Sequence, residues 1–394
     1  MKHRIVVLGA GYAGANAAGR LARRLHPADV DITVVNAGAE FVERVRMHQV
    51  ATGQQLPHRP LTDVFAGTGV GVLVAQVNAV DVETKTVTLT AADGGRELAY
   101  DTLVYALGST AAHGGVPGVA EYAHDIAGKQ SALRVRDRLA GLGAGATVLI
   151  VGGGLTGIEA ASEIADARPD LDVAIAVRGR LGEWLSEKAG QHLRTAFAEL
   201  GITVHEHTEI TRVEQGGVVA EDGRTIGSQL TVWTAGFAVH PIAAASTLEV
   251  SATGQIVVDD TMRSLSHPDV YAVGDAALAP GANGQPLRMS CASGVPSAQH
   301  AADAIAARLT GRKVPRNEIG YTAQCISLGR RDGIVQWVTP DDQPKSSAVT
   351  GRSAARLKEF ICKSAVWSTS HPTSMMPSRR RRISVVAPAD IRTA

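Results

Sequence analysis

The sequence predicts an α/β fold: two parallel-sheet units of one design, followed by a small α+β domain at the C-terminus. Three observations predict it. A β-branched run from Ile5 to Leu8 closes on Gly9, Gly11 and Gly14 and opens into the small-residue helical stretch Ala15 to Ala18. The same order of strand, glycine turn and helix returns from Thr147 to Glu159, carrying Gly152, Gly154 and Gly157. A third run, Val270 to Val273, ends on Gly274 and Asp275 just before a glycine-rich loop. One Gly-x-Gly-x-x-Gly triad means little in a chain with 42 glycines. Two of them, each between a strand and a helix, define a repeated unit.

The bulk numbers agree. A chain of 394 residues exceeds one ordinary core and calls for two or three domains. Its 45% hydrophobic and 20% charged residues are those of a globular protein. Lysine plus arginine (39) nearly cancels aspartate plus glutamate (38), which excludes nucleic acid as the main partner. Cys291, Cys325 and Cys362 lie far apart without metal or C-x-x-C spacing, and imply a reducing, cytoplasmic setting. No run of about 20 apolar residues exists to span a membrane. The apolar stretch after Arg4 is too short for a signal peptide and turns at once into glycines, so it is a first strand.

Each glycine of the first unit has a task. Gly9 permits the tight turn, Gly11 lets backbone approach a pyrophosphate, and Gly14 lets helix and strand pack closely. The helix opening at Tyr12 and Ala13 offers unpaired N–H groups and a positive dipole end to phosphate. A second strand, Asp31 to Val35, ends at Asn36, where an acidic residue would accept hydrogen bonds from an adenosine ribose; asparagine accepts one without charge. Val77 is assigned to the same site. In the second unit, the strand Val173 to Val177 runs into Arg178, Gly179 and Arg180. NAD-specific sites place a carboxylate there. An arginine can instead pair with the 2′-phosphate of NADP, or be solvated while the 2′-hydroxyl is read loosely.

Two further segments carry a family resemblance. Tyr100 to Ser109 reads as an alternating strand ending in the turn Ala106, Leu107, Gly108, and Ser266 to Ala276 brings Asp275 to a strand end. With both glycine fingerprints in this order, residues 4 to 310 resemble the pyridine nucleotide–disulfide oxidoreductase superfamily. The resemblance implies two Rossmann-like dinucleotide-binding domains. A discontinuous FAD-binding domain would cover 1–115 plus 248–312, an NAD(P)-binding domain 116–247, and an interface domain with a basic tail 313–394. It implies FAD as cofactor and NADH or NADPH as substrate. Gly274 and Asp275 would close the FAD site. Ala106 and Gly108 would lie near its adenosine, with Leu107 where many members have threonine. Gly236, in Trp233 to Gly236, would return the chain from the NAD(P) domain.

No cysteine precedes Cys291, so the redox pair of the disulfide reductases is missing. Electrons would then pass from reduced flavin straight to an acceptor. Glu159 with Glu163, and Pro296 to Ala301, are similar to segments of type II NADH dehydrogenases, which places Ala298 by the flavin. Asp303 stands where those enzymes have a second glutamine, and Cys325 to Gly333 is similar to their C-terminal strand and turn.

The implied activity is that of an NAD(P)H dehydrogenase, passing hydride to FAD and electrons to a quinone or similar small acceptor. Two alternatives are ferredoxin reductase-like transfer to an iron–sulfur protein, and a redox-sensing flavoprotein of the apoptosis-inducing factor type. Hydride transfer asks for nicotinamide C4 about 3–3.5 Å from flavin N5, and for neither a triad nor a metal. Glu159 is expected beside the nicotinamide, or as a helix N-terminal carboxylate favoured by the dipole. Arg44 and Arg46, followed by His48 and Gln49, approach the flavin or occupy a solvated helix face. Leu357, Phe360 and Ile361 beside Arg356, Lys358 and Lys363 form a basic amphipathic stripe, packed on its own domain or laid on a membrane. Arg379 to Arg382 attract anionic lipid, or form a solvated, disordered terminus. A homodimer and a peripheral contact with the inner face of the cell membrane stay open.

Overall fold

A computed structural model describes residues 1–316, 318–373 and 379–384. The chain begins with β1 (His3–Leu8), α1 (Tyr12–Arg24), β2 (Val30–Asn36), the short helices α2 (Met47–Ala51) and α3 (Leu61–Val64), then β3 (Gly71–Asp81), β4 (Thr86–Ala91), β5 (Gly94–Ala99), β6 (Thr102–Tyr105) and β7 (Ser109–Ala111). It continues through α4 (Val119–Tyr122), β8 (Ala123–His124), α5 (Lys129–Ala140), β9 (Thr147–Val151), α6 (Leu155–Ala167), β10 (Asp172–Ala176), α7 (Glu187–Glu199) and β11 (Thr203–His205). A small meander follows, β12 (Ile210–Glu214), β13 (Gly217–Ala220) and β14 (Thr225–Gly227), then β15 (Leu230–Trp233) and β16 (Phe237–Val239). The last part holds β17 (Ile256–Val257), β18 (Val270–Ala272), β19 (Ala277–Leu278), α8 (Cys291–Leu309), β20 (Ala323–Leu328), β21 (Asp332–Val338), β22 (Pro344–Thr350) and α9 (Gly351–Ser370).

Two sheets organise these elements. The larger runs β18-β6-β1-β2-β3-β4-β5, parallel from β18 to β3 and antiparallel beyond. The second runs β11-β10-β9-β15-β8 and is parallel throughout. A parallel strand covered on both faces must be apolar along its whole length, which is what Ile5 to Leu8 and Val148 to Val151 supply. In the larger sheet Leu8 lies opposite Val35 and Tyr105; in the second Val151 lies opposite Ala176 and Trp233. The chain leaves each central strand to one side and returns on the other. This topology opens a crevice at the carboxyl ends of β1 and of β9. The antiparallel ribbon of β7 and β16, with Ser109 opposite Val239, links the two units.

Three local expectations are corrected. β6 does not alternate: Thr102 to Tyr105 are all buried, because β1 and β18 flank the strand and both its faces are covered. The helix expected around 353–367 is α9, but its stripe faces outward. Ala354, Lys358, Cys362 and Val366 pack inward, while Phe360 and Trp367 are 67% and 51% exposed. The described part of the arginine tail is partly tied to the body of the protein, so the free-terminus reading is corrected for it. Arg381 bridges to Leu25, and Arg382 pairs with Asp29 at 2.7 Å.

Candidate dinucleotide sites

The two glycine turns are built on one plan. Gly9 and Gly152 have positive φ (94° and 120°), which favours glycine, and each backs against the neighbouring returning segment. A Cβ on Gly9 would lie 2.3 Å from the Ala106 carbonyl oxygen, and one on Gly152 2.8 Å from Thr234 Oγ1. The third glycines make the helix–strand approach. A Cβ on Gly14 would sit 1.9 Å from the Gly9 oxygen, and one on Gly157 1.9 Å from the Gly152 oxygen.

The middle glycines differ from these. Around Gly11 and around Gly154 nothing stands within 4 Å of an added Cβ. Each is the N-cap of its helix, α1 or α6, and neither cap has a side-chain hydrogen bond. Space, free N–H groups and the positive end of a helix coincide twice. Both turns therefore fit a dinucleotide pyrophosphate.

Around the first turn the structure gathers residues from distant parts of the chain. The Gly274 loop packs on the start of α1, where a Cβ on Gly274 would come within 3.0 Å of Ala13 Cβ. The Gly274 amide donates to Ser297 Oγ at 3.1 Å. Asp275 then accepts from Ser109 Oγ at 2.6 Å and from Arg44 at 3.3 Å, while Arg44 also donates to Ser109 at 3.1 Å. The Arg44 guanidinium lies 5.0 Å over the Phe237 ring of the linking ribbon, and Gly108 is beside it. The solvated-helix reading of Arg44 and Arg46 is thus corrected. Arg46 is buried between Glu43 (3.1 Å) and Glu359 (2.7 Å).

Other expected residues take quieter places. Asn36 Oδ1 accepts the Ala10 amide at 2.9 Å, so the oxygen offered to a ribose steadies the glycine turn. Val77 is buried in β3, three residues beyond Val74, which pairs with Asn36. Ala298 is fully buried within α8. Asp303 ion-pairs with Arg20 and Arg24 and ties α8 to α1. Gly236, with φ 119°, sits in the turn between β15 and β16, against Ala112. Arg178 is exposed just beyond β10.

Glu159 has a more demanding surrounding than the sequence suggested. Its carboxylate is buried, accepts the Ser327 amide at 3.0 Å, contacts the Lys358 ammonium, and faces His48 Nδ1 at 3.7 Å. Four elements, α2, α6, β20 and α9, converge there. Burial pulls the Lys358 ammonium down to about 8 and the His48 imidazole well below its usual value. Among the described residues, His48 Nε2 and the Tyr12 hydroxyl are buried without a partner, as groups facing an absent ligand would be. Neighbouring Glu163 accepts from Gln54 at 2.6 Å and Arg330 at 3.1 Å, and burial raises its carboxyl. Sequence reasoning missed Lys358 as an inward group; its only trace is a lysine in step with Ala354 and Cys362. All three cysteines are free, and burial pushes the Cys325 thiol up to about 12 and the Cys362 thiol up as well. Those two are protonated at neutral pH and poor nucleophiles.

Comparison with known proteins gives the same picture. An NADH dehydrogenase-like protein of Mycobacterium tuberculosis is 31% identical over 352 residues, covering 84% of this chain and 87% of its own. The type II NADH:quinone oxidoreductase NdhA of Mycobacterium tuberculosis is 29% identical over 327 residues, covering 72% and 68%. Among solved structures, NDH2 from Plasmodium falciparum in complex with NADH superposes with a TM-score of 0.79 at 14% identity, over 96% of this chain and 99% of that one. The sulfide:quinone oxidoreductase of Aquifex aeolicus does so at 0.76 and 19%, over 94% and 92%. Residues 3–304 match the pyridine nucleotide-disulphide oxidoreductase family, and with both glycine cradles inside that span the chain belongs to it.

Proposed function

We propose that the protein is an FAD-dependent NAD(P)H oxidoreductase that delivers electrons to a quinone or a similar small acceptor. The observation that carries the reading is the doubled cradle: two uncapped helix N-termini, each with open space at its middle glycine. Bound FAD would supply the chemistry, accepting a hydride from the nicotinamide and passing on two electrons. The FAD unit would span 1–115 and 248–312, and the nicotinamide unit 116–247.

The chain's own residues bind, orient and hold protons. Gly11 and the α1 N-terminus would take the FAD pyrophosphate, with Asp275, Ser109 and Arg44 closing the site. Gly154 and the α6 N-terminus would take that of the nicotinamide donor. The same helix then carries Glu159 inward, so nucleotide binding and the buried proton-holding cluster share one rigid element. Lys358 Nζ holds its proton against the Glu159 carboxylate at the centre of this cluster; reduction of a quinone consumes protons. The names of the Mycobacterium tuberculosis relatives support a quinone acceptor. The outward apolar stripe of α9, with Lys363 and Arg356 beside it, supports peripheral contact with the membrane where such quinones dissolve.

Steady-state oxidation of NAD(P)H with a soluble quinone, set against an iron–sulfur protein, tests the acceptor. Quinone-dependent turnover far above the rate with the iron–sulfur protein is expected. Turnover only with the protein acceptor would overturn the proposal.

A further inference from the structure

We propose that His48 meets the ring of the bound flavin, an inference that rests on the flavin reading above. Its buried Nε2 accepts a hydrogen bond from an N–H that the ring carries only when reduced, and so favours the reduced state.

The segment that carries His48 ties the two cradles together. At its start Arg44 donates to Ser109 and pairs with Asp275, the residues that close the first cradle. The turn Arg44–Arg46 runs straight into α2. At its end Thr52 and Gln54 donate to Glu163 on α6, the helix of the second cradle, at 3.3 and 2.6 Å. Hydride passes only between rings about 3–3.5 Å apart, so the flavin and nicotinamide rings have to meet between the cradles. His48 lies midway along this bridge.

The imidazole is faced on one side and open on the other. His48 is 5% exposed, with Nδ1 3.7 Å from Glu159 Oε2 and Nε2 buried without a partner. The Tyr12 hydroxyl, at the start of α1 in the first cradle, is orphaned as well, and Arg46 lies close enough to act on both groups. Arg46 itself is engaged by Glu43 and Glu359. Buried polar atoms are costly to leave unpaired, and two of them beside one cradle mark the place of a ligand.

The surroundings decide what Nε2 offers. The charged groups about it are Glu159 on α6, Lys358 on α9 and Arg46 just before α2. Burial, with Lys358 and Arg46 nearby, lowers the His48 pKa and favours the uncharged ring. A carboxylate only accepts, so Glu159 favours the tautomer with its proton on Nδ1, and Nε2 keeps its lone pair. That lone pair opposes the bare nitrogen of an oxidised ring and matches the N–H of a reduced one.

Spectroelectrochemical titration of the flavin-loaded protein tests this. His48→Phe keeps a planar ring and removes the acceptor. The reduction equilibrium should fall about 10-fold, which is about 30 mV for a two-electron couple. His48→Gln returns an acceptor oxygen near the place of Nε2 and should restore most of the potential. In the wild-type protein, 15N spectra of labelled histidine before and after dithionite read the same contact, and the Nε2 signal should leave its free lone-pair position on reduction. A potential unchanged by His48→Phe, an equal fall in both variants, or an Nε2 signal indifferent to reduction overturns the inference and leaves the flavin site standing. A wild-type protein that takes up no flavin overturns the flavin reading itself.

Discussion

Gly11→Val separates the fold from cofactor binding at the first cradle. Gly11 has φ −70° and ψ −170°, an extended conformation open to valine, and an added Cβ meets nothing within 4 Å. The apo fold should lose only the capping difference, about 1 kcal/mol. A loss of unfolded-chain freedom worth about 0.4–1 kcal/mol offsets part of it. In the loaded protein the isopropyl group takes the space needed by the pyrophosphate. Losing two charge-assisted N–H contacts, at about 1.5–3 kcal/mol each, removes about 3–6 kcal/mol. That weakens FAD by about 100- to 10,000-fold. Flavin fluorescence titration of the apo-protein reads the affinity, and urea unfolding of the same sample reads the stability. A variant that binds FAD as tightly as wild type refutes the assignment of this turn.

Four shorter predictions follow the same logic. Gly14→Ala should do the opposite, lowering stability by about 1–3 kcal/mol or more, because its Cβ would lie 1.9 Å from the Gly9 oxygen; an unshifted urea midpoint would show the helix free to move. Lys358→Met strands the Glu159 carboxylate in a buried site and should cost about 3–5 kcal/mol, most of it recovered by adding Glu159→Gln. An additive double variant, measured by urea unfolding, would mean the pair is not coupled. Arg4 holds the Asp101 carboxyl down at about 2, from 3.8. This contribution is present above the unfolded pKa and is lost as pH falls from about 4 to about 2, but both side chains are more than a third exposed, so it stays below about 1 kcal/mol; Arg4→Ala should flatten the acid limb, and an unchanged slope would assign it elsewhere. Phe360→Glu should reduce co-sedimentation with anionic vesicles without changing NAD(P)H oxidation by a soluble quinone; equal sedimentation would remove α9 from any membrane contact.

The parts of this molecule that were legible in the sequence are those where backbone sterics leave one residue type. Gly9, Gly14, Gly152 and Gly157 each face a carbonyl or side-chain oxygen at distances no Cβ tolerates, so their spacing announces the turn. Strands β1 and β9 were legible because burial on both faces demands an unbroken apolar run. What escaped is tertiary. The α9 stripe reads as inward by hydrophobicity, yet Lys358 turns in, because Glu159 gives its charge a partner that no local pattern reveals. Asn36 reads as a ribose ligand, and only the fold adds the Ala10 amide that its oxygen also accepts. The arginine tail read as free because Asp29, which holds Arg382, is remote in sequence.

The central claim is that one chain holds a flavin and a nicotinamide donor in two cradles of one plan. Anaerobic stopped-flow absorbance of the purified holoprotein, mixed with NADPH or NADH and then with a soluble quinone, tests it most directly. The account predicts rapid bleaching of the flavin band and full recovery when quinone is added. A flavin band that neither nucleotide bleaches would contradict it.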